Sequence, residues 1–178
     1  EFGGTVLVVE NGAVVHTFVD ATQPGGLAAV GDTAGMVDVS ENTLTIYDIK
    51  HRERIVELTA GRGPTHAIAD KHGRIAVVDT RGGALLIYGL GSKPHQVARF
   101  PLPGGPYGVA YDPTRDRLWV TLTASNELVE IDMSGGKTPT IARRLPTLRQ
   151  PNTVAVDSNT GRLFVASPTE GALELIDP

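Results

Sequence analysis

One phrase returns four times along this chain, and its period restricts the fold more than any other feature. A proline is followed by two variable or small residues, an aliphatic residue or alanine, a small residue and an aspartate. The phrase reads PTHAIAD from Pro64, PYGVAYD from Pro106 and PNTVAVD from Pro151, with a weaker copy, PGGLAAV, from Pro24 that lacks the aspartate. Successive copies lie 40, 42 and 45 residues apart. Such a period marks a chain built from stacked supersecondary units, none of which can bury its apolar face alone.

Other phrases keep the same phase. After each strong copy comes RIAVVD from Arg74, RLWVTL from Arg117 and RLFVAS from Arg162. One loop later come TLTIYDI from Thr43, ALLIYGL from Ala84, ELVEIDM from Glu127 and ALELIDP from Ala172, with an outlying TVLVVEN from Thr5. A looser fourth segment closes each unit, as in RIVELTA from Arg54 and QVARFPL from Gln96. These are short runs rich in Val, Ile, Leu, Thr and aromatics between Gly, Pro, Asn and Asp, the pattern of strands and turns. No run of ten residues holds an uninterrupted helical apolar period, and 21 Gly and 12 Pro break the chain too often for helices.

Four short antiparallel strands per 40–45 residues predict an all-β chain of four-stranded propeller blades. Residue size supports this: small residues (Gly26, Ala28, Ala67, Ala69, Gly108, Ala110, Ala155) sit on the first strand of each unit, where neighbouring sheets converge, and Trp119 and Phe164 sit on the second. The phase divides the chain into a partial blade at 1–20, blades at 24–60, 64–102 and 106–145, and a partial blade at 151–178. About four blades are therefore expected, as one propeller domain or part of one.

From Pro106 to Asp132, PYGVAYDPTRDRLWVTLTASNELVEID resembles the YVTN β-propeller repeat, with Leu118-Trp119-Val120-Thr121 in the YVT place and Ser125-Asn126 before the third strand. The Pro151 copy matches nearly as well, with Phe164-Val165-Ala166 for YVT. The Pro64 and Pro24 copies are looser. The resemblance implies a bacterial secreted, periplasmic or cell-envelope protein with a binding or scaffolding role. Such propellers tend to have seven blades, so this chain is expected to be part of a larger propeller. Open blade edges are expected to self-associate or to pair with the missing blades. The start at Glu1, without Met or a signal pattern, fits a processed protein or a piece of a larger one, and Glu1-Phe2 reads as a cloning remnant.

The net charge of −4 comes from 16 basic and 20 acidic residues spread along the chain, so no basic surface for nucleic acid is expected. No apolar run approaches the roughly 20 residues of a membrane helix. Without cysteine there is neither a disulfide framework nor thiolate chemistry.

In a propeller, the loop entering the first strand and the loop joining the second and third strands share one face, by analogy with the family the ligand face. The ligand-binding candidates there are Arg62, Thr65, His66, Arg81, Tyr107, Asn126, Arg149 and Asn152. Thr65, Tyr107 and Asn152, each just after a repeat proline, are expected at the channel mouth. They differ in every unit, as positions specialised for a ligand would. His66 stands where other units have Gly or Thr, and an imidazole there could serve as ligand, acid or base. Arg62, Arg81 and Arg149 come from three units and suit an anion. His16, His51, His72 and His95 are scattered, without metal-ligand spacing. The repeated aspartates read as turn residues on the opposite face. No catalytic residue, metal site or cofactor is assigned. The expected function is non-catalytic binding of a protein or ligand through the loop face. The competing reading is a metal-dependent hydrolase, lactonase or lyase at the channel mouth, which alone would call for a divalent metal.

Overall fold

The computed structural model describes residues 4–136 and 138–178, so the reading of Glu1 and Phe2 lies outside the described residues. Among the described residues every regular element is a strand, and the seventeen strands form five antiparallel sheets in chain order. The first sheet has two strands, β1 (Gly4–Glu10) and β2 (Ala13–Ala21). Three four-stranded sheets follow. They are β3 (Pro24–Val30), β4 (Thr33–Asp38), β5 (Thr43–Asp48) and β6 (Glu53–Thr59); β7 (Pro64–Ala69), β8 (Arg74–Asp79), β9 (Ala84–Gly89) and β10 (His95–Pro101); and β11 (Pro106–Asp112), β12 (Arg117–Leu122), β13 (Glu127–Asp132) and β14 (Thr140–Pro146). The last sheet has three strands, β15 (Thr153–Val156), β16 (Leu163–Ser167) and β17 (Ala172–Ile176). Spatial order equals sequence order in every sheet, as short hairpin loops require.

The first strands lie side by side, β3 against β7, β7 against β11 and β11 against β15. At two glycines they approach so closely that no side chain would fit. A Cβ on Gly26 would sit 2.3 Å from the Ala67 nitrogen, and one on Gly108 would sit 2.7 Å from the Asn152 carbonyl oxygen. Small residues on this strand are thus a steric requirement of the convergence.

The core is a series of layers between sheets, because each strand alternates its side chains between two neighbours. Val37, Leu44 and Ile46 meet Ile75, Val77, Leu86 and Tyr88 between the second and third sheets. Ala76, Val78, Leu85 and Ile87 meet Leu118, Val120, Val129 and Ile131 between the third and fourth. Trp119 and Leu128 meet Val154, Leu163 and Val165 between the fourth and fifth. Val6, Val8 and Phe18 cover Met36 and Tyr47 at the start of the series. The outermost faces are not covered: Leu7, Val9, Val14 and Val19 on the first sheet and Leu173 and Leu175 on the last are exposed, as is Leu27 on β3.

The turns between first and second strands are held by the repeated aspartates. Asp70 Oδ1 accepts from the His72 and Arg74 backbone N–H groups, Asp112 Oδ1 from Thr114 and Arg115, and Asp157 Oδ1 from Asn159. Each folds back onto backbone donors within four residues.

Candidate functional site

At the opposite ends of the same strands, a repeated backbone bond joins the loop entering the first strand to the start of the next hairpin. Val39 N–H donates to Gln23, Thr80 to Gly63 and Thr123 to Gly105; in the last unit Pro168 stands at the donor position, and Asn152 N–H donates to Ala166 instead. In two units a buried aspartate at the end of the second strand reinforces this tie. Asp38 accepts from the backbone of Thr22, Gln23, Ser40 and Glu41, and Asp79 Oδ1 from Arg62, Gly63 and Gly82. Burial works against the Asp38 charge, but its backbone donors outweigh burial and hold the carboxyl below its ordinary range. Asp79 Oδ2 is buried without a partner, walled in where Gly61 and Gly82 pass too close for a Cβ.

On this braced rim lies a hollow of about 500 Å³, lined by Thr80, Tyr107, Thr123, Ala124, Gln150, Asn152, Pro168 and Thr169. Three sheets contribute, which is possible only because their first strands converge. Of the sequence candidates, Tyr107 and Asn152 line it directly. His66 stands behind Tyr107, with ring centroids 4.9 Å apart in an edge-on arrangement. Its Nδ1 is buried without a hydrogen-bond partner. Burial holds the imidazole below its ordinary range, against a hydrogen bond with the Tyr107 backbone that draws it up. Thr65 also stands behind the wall, its hydroxyl 2.9 Å from that of Thr80.

The other candidates lie elsewhere. Asn126 adopts a left-handed backbone (φ 57°), and its Oδ1 accepts from the Gln150 N–H at 2.8 Å, so its amide braces the neighbouring loop. Arg62 contributes its backbone N–H to Asp79, while Arg81 packs over Gly63 and reaches Asn42 Oδ1 at 3.5 Å. Arg149 lines a separate hollow of about 410 Å³ beside Glu170 and Glu174. None of the three arginines lines the main hollow. Among the described residues, no three His, Asp or Glu side chains gather as a metal-binding group.

Sequence reasoning missed Thr80, Thr123 and Thr169. The first two directly follow the second strand of their units, and the repeat phase could have shown a hydroxyl recurring there at the rim. Nothing in the repeat pointed to Thr169 or Pro168, whose loop belongs to the last sheet alone.

Comparison with solved structures decides the architecture. The β-propeller domain of Cps50 (Swd1) from Myceliophteria thermophila superposes with a TM-score of 0.68 at 14% identity, covering 87% of this chain and 54% of that one. The fold is a β-propeller. A protein from Desulfotomaculum acetoxidans aligns over 99% of this propeller with a TM-score of 0.80 and 12% identity, and 63% of its own chain is covered. Virginiamycin B lyase from Staphylococcus aureus aligns over 96%, with a TM-score of 0.66 and 14% identity, and 61% of its chain is covered. This propeller thus spans about half to two-thirds of the length of these neighbours. At such identities the likeness concerns the fold alone. No family profile and no curated protein matches the sequence. No helix of the described residues is long and apolar enough to cross a membrane.

Proposed function

We propose that this chain is a non-catalytic binding propeller of YVTN type that takes a protein or small ligand on its loop face, centred on the hollow between Tyr107 and Asn152. One observation carries the reading. Tyr107 and Asn152 occupy equivalent positions after the repeat proline, yet they differ in chemistry, while in each unit a backbone bond ties the entering loop to its own sheet. Divergence on a braced rim is what a scaffold that presents a binding surface requires. The hollow's volume falls within the range of small-ligand sites. A thermal-shift screen of a small-molecule library against the wild-type chain, Tyr107→Ala and Asn152→Ala tests it. Ligands that stabilise the wild type and neither variant support the reading; ligands that stabilise all three equally overturn it.

The same proposal includes a secreted, periplasmic or cell-envelope location. It rests on the repeat resemblance of Pro106–Asp132, and cell fractionation tests it. It also includes a further blade-like sheet as the occupant of the apolar end faces, because Leu173 and Leu175 lie on the face the next sheet would cover.

A second reading, a metal-dependent hydrolase, lactonase or lyase, draws on the buried, unpartnered Nδ1 of His66 behind the hollow. Stoichiometric metal by elemental analysis, with lactone turnover lost in His66→Ala, would establish it. Equal behaviour of wild type and variant in both assays would dismiss it.

A further inference from the structure

We infer that the hollow at the loop face recognises a neutral, polyhydroxylated ligand of the saccharide class. This deepens the binding reading above and rests on it.

Charge is the first consideration. The chain carries 36 ionisable Lys, Arg, Asp and Glu side chains, yet none lines this hollow. Its polar lining is made of hydroxyls and carboxamides. A charged ligand would give up hydration there without gaining a countercharge, whereas a neutral one loses far less. His66, whose ring packs against Tyr107, is held toward its neutral form by burial.

Hydrogen-bond polarity is the second. The Thr80 hydroxyl donates to the Pro106 carbonyl at 2.6 Å, and the Thr123 hydroxyl donates to the Gly105 carbonyl at 2.8 Å. With their protons committed, both oxygens meet a ligand as acceptors, Thr80 through the lone pair left beside the bond it accepts from the Thr65 hydroxyl at 2.9 Å. The carboxamides are committed the opposite way. Gln150 Oε1 accepts from the Thr169 hydroxyl at 2.7 Å, and Asn152 Oδ1 accepts from the Thr153 hydroxyl at 3.2 Å. Their NH₂ groups are left to donate. The wall therefore offers fixed donors and fixed acceptors side by side. Vicinal hydroxyls, each donating one bond and accepting others, suit such a wall, and a ligand with acceptors alone does not.

The third consideration is the Tyr107 ring, the one aromatic side chain of the lining. It is held edge-on by His66. A fixed ring gives the apolar C–H face of a sugar a surface to rest on, while its neighbours bind the hydroxyl edge. The shallow volume of about 500 Å³ fits one or two sugar rings.

The test is amide NMR on the full chain, following the side-chain NH₂ signals of Gln150 and Asn152 and the backbone signals of Thr123 and Thr169. The neutral probes are methyl glycosides of glucose, galactose, mannose and N-acetylglucosamine, together with maltose, cellobiose and lactose. Glucuronate and glucose 6-phosphate are the anionic probes, glucosamine the cationic one, and N-acetylglycinamide the neutral amide.

At least one neutral saccharide is expected to shift these signals saturably, with the charged sugars binding about tenfold more weakly or less. Asn152→Ala and Gln150→Ala should each keep the dispersed spectrum of a folded chain and weaken binding about five- to tenfold. Saturation by charged sugars at equal or higher affinity would overturn the neutral saccharide class and leave the hollow as a site. So would saturation by N-acetylglycinamide without any saccharide. Shifts only outside the hollow, or none with any probe, would overturn both the class and the binding site beneath it.

Discussion

Leu128 and Leu173 hold the same place in consecutive units, second in the third-strand phrases ELVEID and ALELID. Leu128 is 0% exposed, because the last sheet lies over it; Leu173 is 60% exposed, because no described sheet lies over the last one. The second-strand aromatics show the same contrast. Trp119 is buried at 2% between the fourth and fifth sheets, whereas Phe164 at the equivalent place is only half-buried. Earlier in the series Leu44 and Leu85, in the same position, are both fully buried. In this fold a repeat position has no burial of its own, only the burial its neighbour supplies.

Truncating each leucine separates the repeat position from the neighbour that covers it. Leu128→Ala should lose about 3 kcal/mol in urea unfolding, and Leu173→Ala within about 0.5 kcal/mol. Equal losses would show that the repeat position itself sets the energy.

The rim offers the next contrast, since the second strand ends in buried aspartate in two units but in Leu122 and Ser167 in the others. Asp79→Ala strips the acceptor from three backbone N–H groups and should cost about 2–3 kcal/mol, read from the denaturation midpoint. Asp38 adds a pH dependence. Its folded pKa lies below the unfolded value of about 3.9, so its contribution is full above that value and lost as pH falls through the folded pKa. Asp38→Asn should therefore flatten the acid limb of the stability curve, and an unchanged limb would assign that loss to other carboxylates.

The open end faces predict a smaller effect. The isolated chain should associate with rising concentration in sedimentation velocity, and Leu173→Ser with Leu175→Ser should reduce that association. Unaltered sedimentation of the double variant would move the sticky surface elsewhere.

The smallest effect is a titration. Burial draws His66 below its ordinary value of about 6.5, while its hydrogen bond to Asp48 draws exposed His51 above it. Because folding favours neutral His66, its contribution is full above the unfolded pKa and fades as pH falls through the folded one. NMR should place the two midpoints on opposite sides of 6.5, and a His66 midpoint above that value would contradict its burial.

Much of the architecture was legible because it repeats. Ala67, Gly108 and Ala155 recur as small residues on the first strand, and the steric demand behind them is local enough to show in sequence. The turn aspartates Asp70, Asp112 and Asp157 were legible for the same reason. The site was less so. Tyr107 and Asn152 could be marked as rim residues from their place after proline, but Asn126, marked by its place in the loop joining the second and third strands, braces the Gln150 loop instead. Sequence reveals that a carboxamide is near the rim; it does not reveal which hydrogen bond has already claimed it.

By itself the sequence determined the blade, its four strands, their order and the small residues at the axis, because strand periodicity and turn chemistry act over a few residues. Only the tertiary structure decided which faces are covered, which rim side chains meet in one hollow and which of their protons remain free. Those depend on sheets about 40 residues apart in sequence that meet in space, and no local pattern records where a neighbour's atoms lie.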